Sequence, residues 1–204
     1  MLNSIILIIS SYLIGSFPSG LVIGKLFYKT DIREHGSGNL GGTNAIRVLG
    51  KRGGGVVMGL DLLKGGIAVL LAMHFQSEFH PLIIALFSVI GHIYPIFAGF
   101  RGGKAVATTG GIILFFSPTL FITLFIIFAI TLTTTKIMSV ASSVIAIVAF
   151  FFIWTNPYSN PNYDQVTRIM FTILPAIVII KHIPNYKRIL NGSEPKIINR
   201  KNKN

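Results

Sequence analysis

Three short stretches of this 204-residue chain hold the residues that could do chemistry. The first is His35 to Asn44 (HGSGNLGGTN), with Arg47 one helical turn further on. Its glycines, set among hydroxyl and amide side chains, let backbone N–H groups converge on an anion, while Ser37, Asn39 and Thr43 add donors and Arg47 a planar fork. The same composition would also make a flexible loop rich in turn residues. The place of Arg47, a turn beyond Thr43 and Asn44, favours the phosphate cradle. The second stretch is Arg101-Gly102-Gly103-Lys104, with Thr108 and Thr109 a turn beyond. A P-loop reading fails on spacing, because Ala98 stands where the first glycine belongs and Ala105 where the Ser or Thr belongs. That leaves a Gly-Gly turn that lets Lys104 reach an anion, or an ordinary basic cap on the apolar segment before it. The third stretch, Lys181 to Arg188 (KHIPNYKR), places His182 and Asn185 three residues apart, on one side if the turn continues through Pro184. Taken alone it is a basic juxtamembrane segment.

Other polar groups lie inside apolar runs. Asp61 and Lys64, three apart, can pair along one helix face, and an ion pair that orients the loops above it is the preferred reading. Ser139, Ser142 and Ser143 suit hydrogen bonding to a neighbouring helix. His74, Glu78 and His80 have a passable metal spacing but sit away from every other polar cluster, so no metal site is expected. No histidine is followed five residues later by aspartate, which removes the HxxxxD base of the common glycerolipid acyltransferases. GxSxG and HExxH are absent too, and without cysteine there is neither a thiolate nucleophile nor a disulfide framework.

The elements that must position these groups are membrane helices. With 51% hydrophobic and 12% charged residues and a mean hydropathy of +0.70, the chain carries roughly half the charge of a soluble domain. Cutting it at charged or Gly/Pro-rich breaks predicts seven helical segments, near 2–24, 55–76, 81–100, 105–116, 118–135, 137–154 and 165–181. Residues 105–135 as one helix would be about 46 Å long, and Ser117-Pro118 interrupts them. The first run has no basic residue before it and no small-residue cleavage site after it, so it reads as an uncleaved helix. Charge orients the bundle: with the N-terminus outside, 16 of the 18 Lys and Arg fall on inner segments, leaving Lys64 within a helix and Arg168 at the foot of the last one. The loop 28–54, the turn 99–104 and the tail after 181 then all face the cytoplasm. No internal repeat or linker appears, so residues 1–198 are expected to form one membrane-embedded domain and 199–204 a basic polar tail.

Several motifs in order identify a family. Ser16 to Gly20 (SFPSG), GSGNLGGTN with Arg47, Asp61 to Gly65, Gly91-His92 with Pro95, RGGKAVAT, and His182 through Asn185 to Gly192 and Glu194 follow one another as in the bacterial acyl-phosphate:glycerol-3-phosphate acyltransferases of the PlsY type. The chain resembles that group over essentially its whole length. The resemblance implies a seven-helix enzyme of the bacterial inner membrane, with its site facing the cytoplasm, that moves a fatty acyl group from acyl phosphate to the sn-1 hydroxyl of glycerol 3-phosphate. The products would be lysophosphatidic acid and inorganic phosphate, the first acylation of phospholipid biosynthesis. It also implies no cofactor, no metal, no nucleic acid, and association with the enzyme that produces the acyl phosphate. By position, Ser37, Gly38, Asn39 and Thr43 fall in the family's phosphate-binding loop, Arg47 and Lys104 match its phosphate-gripping cations, and Ser142, His182 and Asn185 match groups around glycerol 3-phosphate. Ser37, Asn39, Arg47, Lys104 and His182 would be the catalytic set; Gly38, Thr43, Ser142 and Asn185 would bind substrate. Either a substrate phosphate oxygen or His182 would take the hydroxyl proton. Ala105 stands where many members have glycine, Gly42 where many have alanine, and Ile183 where arginine is common. The competing reading from composition is a transporter of an anionic solute, which the missing twofold repeat disfavours.

Overall fold

Pro18 decides the first element. Lacking an N–H, it ends helix α1 (Leu2–Ser16), and the chain restarts as α2 (Ser19–Tyr28) with a bend of 40°. The single helix expected over 2–24 is therefore a broken one. The computed structural model describes residues 1–155 and 163–197, which form helices, short 3₁₀ turns and loops. Most of the expected outer connection between Thr155 and Asp164, and the basic tail 199–204, lie outside the described residues. After α2 come α3 (Gly42–His74), α4 (Pro81–Ile93), α5 (Val106–Phe116), α6 (Pro118–Thr135), α7 (Met138–Thr155), α8 (Gln165–Lys181) and α9 (Ile183–Leu190). Helix α3 starts well before the expected residue 55, running through Gly50 with a local break (φ 77°, ψ 179°).

Among the described residues, four segments are long and apolar enough to cross a membrane, namely α3, residues 81–98, α6 and α7. Counting α1 with α2, and α8 with α9 (bent by 46°), as one span each gives six. Helix α5, the fourth expected segment, has 11 residues and rises only about 16 Å, half of a hydrocarbon core. Large apolar side chains such as Ile5, Ile6 and Ile9 on α1 and Phe125, Ile126 and Ile130 on α6 point outward, as helices solvated by lipid require.

The chain packs as two compact units, Met1–Phe121 and Ile122–Asn204. In the first, α1 lies against α4 and α3 against α5. Both crossings are backbone-to-backbone: a Cβ on Gly15 would run into the Ser88 carbonyl, one on Gly91 into the Tyr12 carbonyl, and one on Gly111 into the Leu62 carbonyl. In the second unit α7 packs on α8, and Ile153 on the first and Phe171 and Leu174 on the second are buried.

A buried charge holds the first unit at its broken helix. The break takes the Gly15 carbonyl out of the helical ladder and leaves Phe17 O with only the tight-turn bond from Ser19 N at 3.0 Å. Lys64 Nζ, reaching across from α3, donates to Phe17 O at 2.8 Å and approaches Gly15 O at 3.4 Å. Its counter-charge is Asp61, 2.7 Å away on its own helix, and Asp61 accepts in turn from Ser19 Oγ at the start of α2. Both side chains are almost wholly buried. Removing one partner leaves an uncompensated charge, so Lys64→Met should cost about 3–5 kcal/mol of stability. Thermal unfolding in detergent should show that loss, and the Asp61→Asn/Lys64→Met pair should recover part of it; a single variant as stable as the parent would contradict the role given to the pair.

Candidate active site

In the first unit the glycine loop is wound around one side chain. Ile32, fully buried, anchors the short 3₁₀ turn Ile32–Glu34 against Ile23, Leu40 and Ala45. Asp31 caps that turn; the Arg33 side chain bonded to it, helped by Lys25 at 3.3 Å, holds its carboxyl well below the usual carboxylate range despite burial. From there the chain wraps around Asn44, in the first turn of α3 and buried. Asn44 Nδ2 donates to Ile32 O at 2.8 Å and His35 O at 3.1 Å, while its Oδ1 accepts from Ser37 N at 2.9 Å. Gly36 takes a positive φ of 64°, and a Cβ there would collide with Asn44 Oδ1. Asn39 turns inward on its own backbone, its Oδ1 accepting from Gly41 N at 2.9 Å. Helix α3 then begins at Gly42, with Gly41 as N-cap and no side-chain cap bond, so the amides of Gly42 and half-buried Thr43 lie at a helix N-terminus. The exposed Arg47 passes its Cδ next to Gly36, which turns the guanidinium stem back over the loop. Ser37, Gly38, Asn39, Thr43 and Arg47 are thus brought together. Asn44, which organises them, had no role in the sequence reading; its type and place were visible, its burial was not.

Lys104 sits on a turn folded back onto the end of α4. Gly102 N donates to Ile93 O at 3.2 Å and Gly103 N to His92 O at 3.0 Å. Phe100 and Ala105 flank the turn with φ of 61° and 58°. A left-handed alanine costs roughly 1–2 kcal/mol, which is why glycine suits position 105.

In the second unit Ser142, His182 and Asn185 are all buried, but their contacts differ. Ser142 Oγ donates to Met138 O of its own helix at 2.9 Å. His182, at the junction of α8 and α9, places Nδ1 2.7 Å from Val178 O. A carbonyl only accepts, so Nδ1 carries a proton, and in the neutral ring the lone pair is on Nε2. Asn185 Nδ2 donates to Glu194 Oε1 at 2.6 Å, and the same carboxylate accepts from Ser139 Oγ and Arg188 Nε, each at 2.8 Å. Neighbouring Ser143 Oγ and Tyr186 OH share a bond of 2.7 Å. Glu194 is the residue that the sequence reading left without a role in the site, although it closes the motif that starts at His182.

Comparison with known proteins turns this geometry into a family. The family model described as glycerol-3-phosphate acyltransferase matches residues 5–192. The chain belongs to the glycerol-3-phosphate acyltransferase family. A glycerol-3-phosphate acyltransferase of Bacillus subtilis (strain 168) is 50% identical over 192 residues, 94% of this chain and 96% of that protein. One from Bacillus cereus (strain G9842) is 47% identical over 196 residues, 96% of each chain. The crystal structure of PlsY, an integral membrane glycerol 3-phosphate acyltransferase, in its glycerol 3-phosphate form superposes with a TM-score of 0.86 at 36% identity, covering 96% of both chains. Its lysophosphatidic acid form gives 0.83 at 36% identity, covering 95% of this chain and 94% of that one. The chain is therefore a membrane acyltransferase, and the transporter reading falls away.

Glu194 carries a testable pH dependence. Burial alone would raise its carboxyl, but the bonds from Asn185, Ser139 and Arg188 outweigh it and leave the group below its ordinary value of 4.5. A depressed carboxylate stabilises the fold above its unfolded value, and that contribution is lost as pH falls through the folded one. Glu194→Gln should unfold earlier at pH 7, by the equivalent of about 1.5–3 kcal/mol. Calorimetry across pH should show the gap closing in acid; a gap that is absent at pH 7, or that widens in acid, would refute the assignment.

Proposed function

We propose that the enzyme transfers a fatty acyl group from acyl phosphate to the sn-1 hydroxyl of glycerol 3-phosphate at the cytoplasmic face of the bacterial inner membrane, releasing lysophosphatidic acid and inorganic phosphate. The observation that carries this reading is the glycine loop wound on Asn44, which sets Arg47 and the start of α3 beside it in a chain whose family acts on a phosphorylated alcohol. In this reading residues 1–198 work as one acyltransferase domain. Ser37, Gly38, Asn39 and Thr43 line the phosphate loop, and Arg47 and Lys104 offset phosphate charge. Ser142, His182 and Asn185 bind the glycerol 3-phosphate.

The chemistry asks little of the protein beyond placement. The hydroxyl oxygen attacks the acyl carbon, the bond from that carbon to the phosphate oxygen breaks, and inorganic phosphate leaves with the electron pair. Holding hydroxyl and carbonyl together and stabilising the negative charge that develops are the two contributions that lower the barrier. The hydroxyl proton passes to a substrate phosphate oxygen or to His182 Nε2, the ring atom that keeps its lone pair. No step calls for a metal. An acyl phosphate is short-lived in water, which favours association with the enzyme that produces it.

Arg47→Ala and Lys104→Ala should each lose on the order of 2–4 kcal/mol of transition-state stabilisation, roughly 30- to 1000-fold in rate, and Arg47→Lys should rescue only partly because the fork is lost. Steady-state kinetics on variants that remain folded in membranes decides this, and near-parental turnover in both alanine variants would sink the phosphate assignment.

Orientation rests on the cation distribution. Single cysteines introduced near Gly50, at Lys104 and after Lys187 should be labelled only from the cytoplasmic side of sealed vesicles; labelling of position 104 from outside would overturn the topology.

With the donor varied and EDTA present, purified enzyme should turn over acyl phosphate and leave acyl-CoA almost untouched. The chain has no HxxxxD pair to supply the base that a thioester-dependent acyltransferase brings. Efficient acyl-CoA turnover, or a strict need for divalent metal, would be incompatible with the mechanism.

A further inference from the structure

The ion pair at the broken helix touches more than the helix ends. A fourth partner of the Lys64 ammonium is His92 Nδ1, 3.3 Å away, on the last turn of α4. An ammonium only donates, so Nδ1 accepts and the ring proton lies on Nε2. That Nε2 edge faces Gly103: a Cβ on Gly103 would land on Nε2 itself, so the turn that carries Lys104 rests directly against the ring. Gly102 N and Gly103 N complete the seat through the carbonyls of Ile93 and His92.

The same charge pair reaches the glycine loop by another route. Asp61 holds Ser19, and the next residue, Gly20, packs so closely on Leu40 that a Cβ would strike the Leu40 carbonyl. Leu40 lies in the middle of the loop that Asn44 organises. Leu40, Ser19, Asp61, Lys64, His92 and Pro95 are among the residues lining one small cavity of about 10 Å³. Asp61 Oδ2 is buried there without a hydrogen-bond partner.

We infer that His92, locked by Lys64 and Asp61, is a positioning residue for the acyl transfer: it sets where Lys104 stands relative to the phosphate loop and touches neither substrate. This deepens the proposed function and rests on Lys104 acting on phosphate. A ring bonded through one nitrogen to a buried ammonium, and packed against Gly103 on its other edge, cannot rotate away without giving up that bond, so the turn has a stop on its inner side. Misplacement of a catalytic group by about 1 Å is enough to cost up to 100-fold in rate.

The test is a double-mutant cycle on purified enzyme with glycerol 3-phosphate and acyl phosphate, combining His92→Asn with Lys104→Ala. Asparagine can keep an acceptor near the Nδ1 position for Lys64 and removes the Nε2 edge under Gly103. His92→Asn should lower kcat about tenfold while KM for glycerol 3-phosphate stays within about threefold. In the Lys104→Ala background the same substitution should cost less than about twofold, because the group it positions is gone. A role confined to fold stability would show as equal losses in both backgrounds, and that result, or an undiminished kcat for His92→Asn, overturns the inference. If Lys104→Ala alone retains parental turnover, the functional reading of Lys104 fails, and that single variant reveals it separately. Should His92→Asn not yield folded protein by size exclusion and thermal unfolding, Gly103→Ala, which presses on the ring from the turn side, is read in the same cycle with the same two outcomes.

Discussion

An ammonium group in the interior of a membrane protein has to find acceptors for all its protons, and a helix interrupted inside the apolar layer has to find donors for its last carbonyls. Here each requirement meets the other. Pro18 creates the break, Lys64 fills it, and Asp61 balances the charge while fixing the restart of the chain at Ser19. Everything else in the first unit is referred to that point. α1 and α4 approach through glycine backbones on one side of it, and α3, which carries both charges, continues toward the loop around Asn44.

The loop shows how a glycine-rich segment can be flexible in composition and fixed in place. Its glycines supply the turns, but its position comes from a buried amide that satisfies two carbonyls and one N–H at once. The loop's shape is therefore fixed by the protein's own bonds, which is the kind of preorganisation that electrostatic stabilisation without reorganisation requires. Glu194 does comparable work in the second unit, gathering Ser139, Asn185 and Arg188 on one carboxylate.

Apolar period and proline were enough to locate α6, α8 and, to within a residue, α5 and α7. The broken first helix was not found, because counting apolar residues across 2–24 does not register the missing N–H at Pro18. The early start of α3 was missed for the opposite reason: Gly50, Lys51 and Arg52 look like a loop, yet the helix absorbs them with one non-helical glycine. The candidate residues were legible by type and order. What hid was direction. Asn39 and Asn44 are the same residue in one loop, but one bonds its neighbour's backbone and the other supports the whole segment, and only burial separates them.

Ala105 gives the turn at Lys104 a different character from the glycine turns around it. A glycine there could slide between conformations of both hands at little cost, whereas an alanine at φ 58° sits in a narrow well bounded by clashes of its own Cβ. Leaving that well means crossing to the right-handed or extended region in one step, which would also rotate Lys104 away and draw Gly103 off His92. The turn is thus closer to a latch than to a hinge. Its strain is small, and what it removes is the continuum of intermediate backbone states that a glycine at the same place would sample.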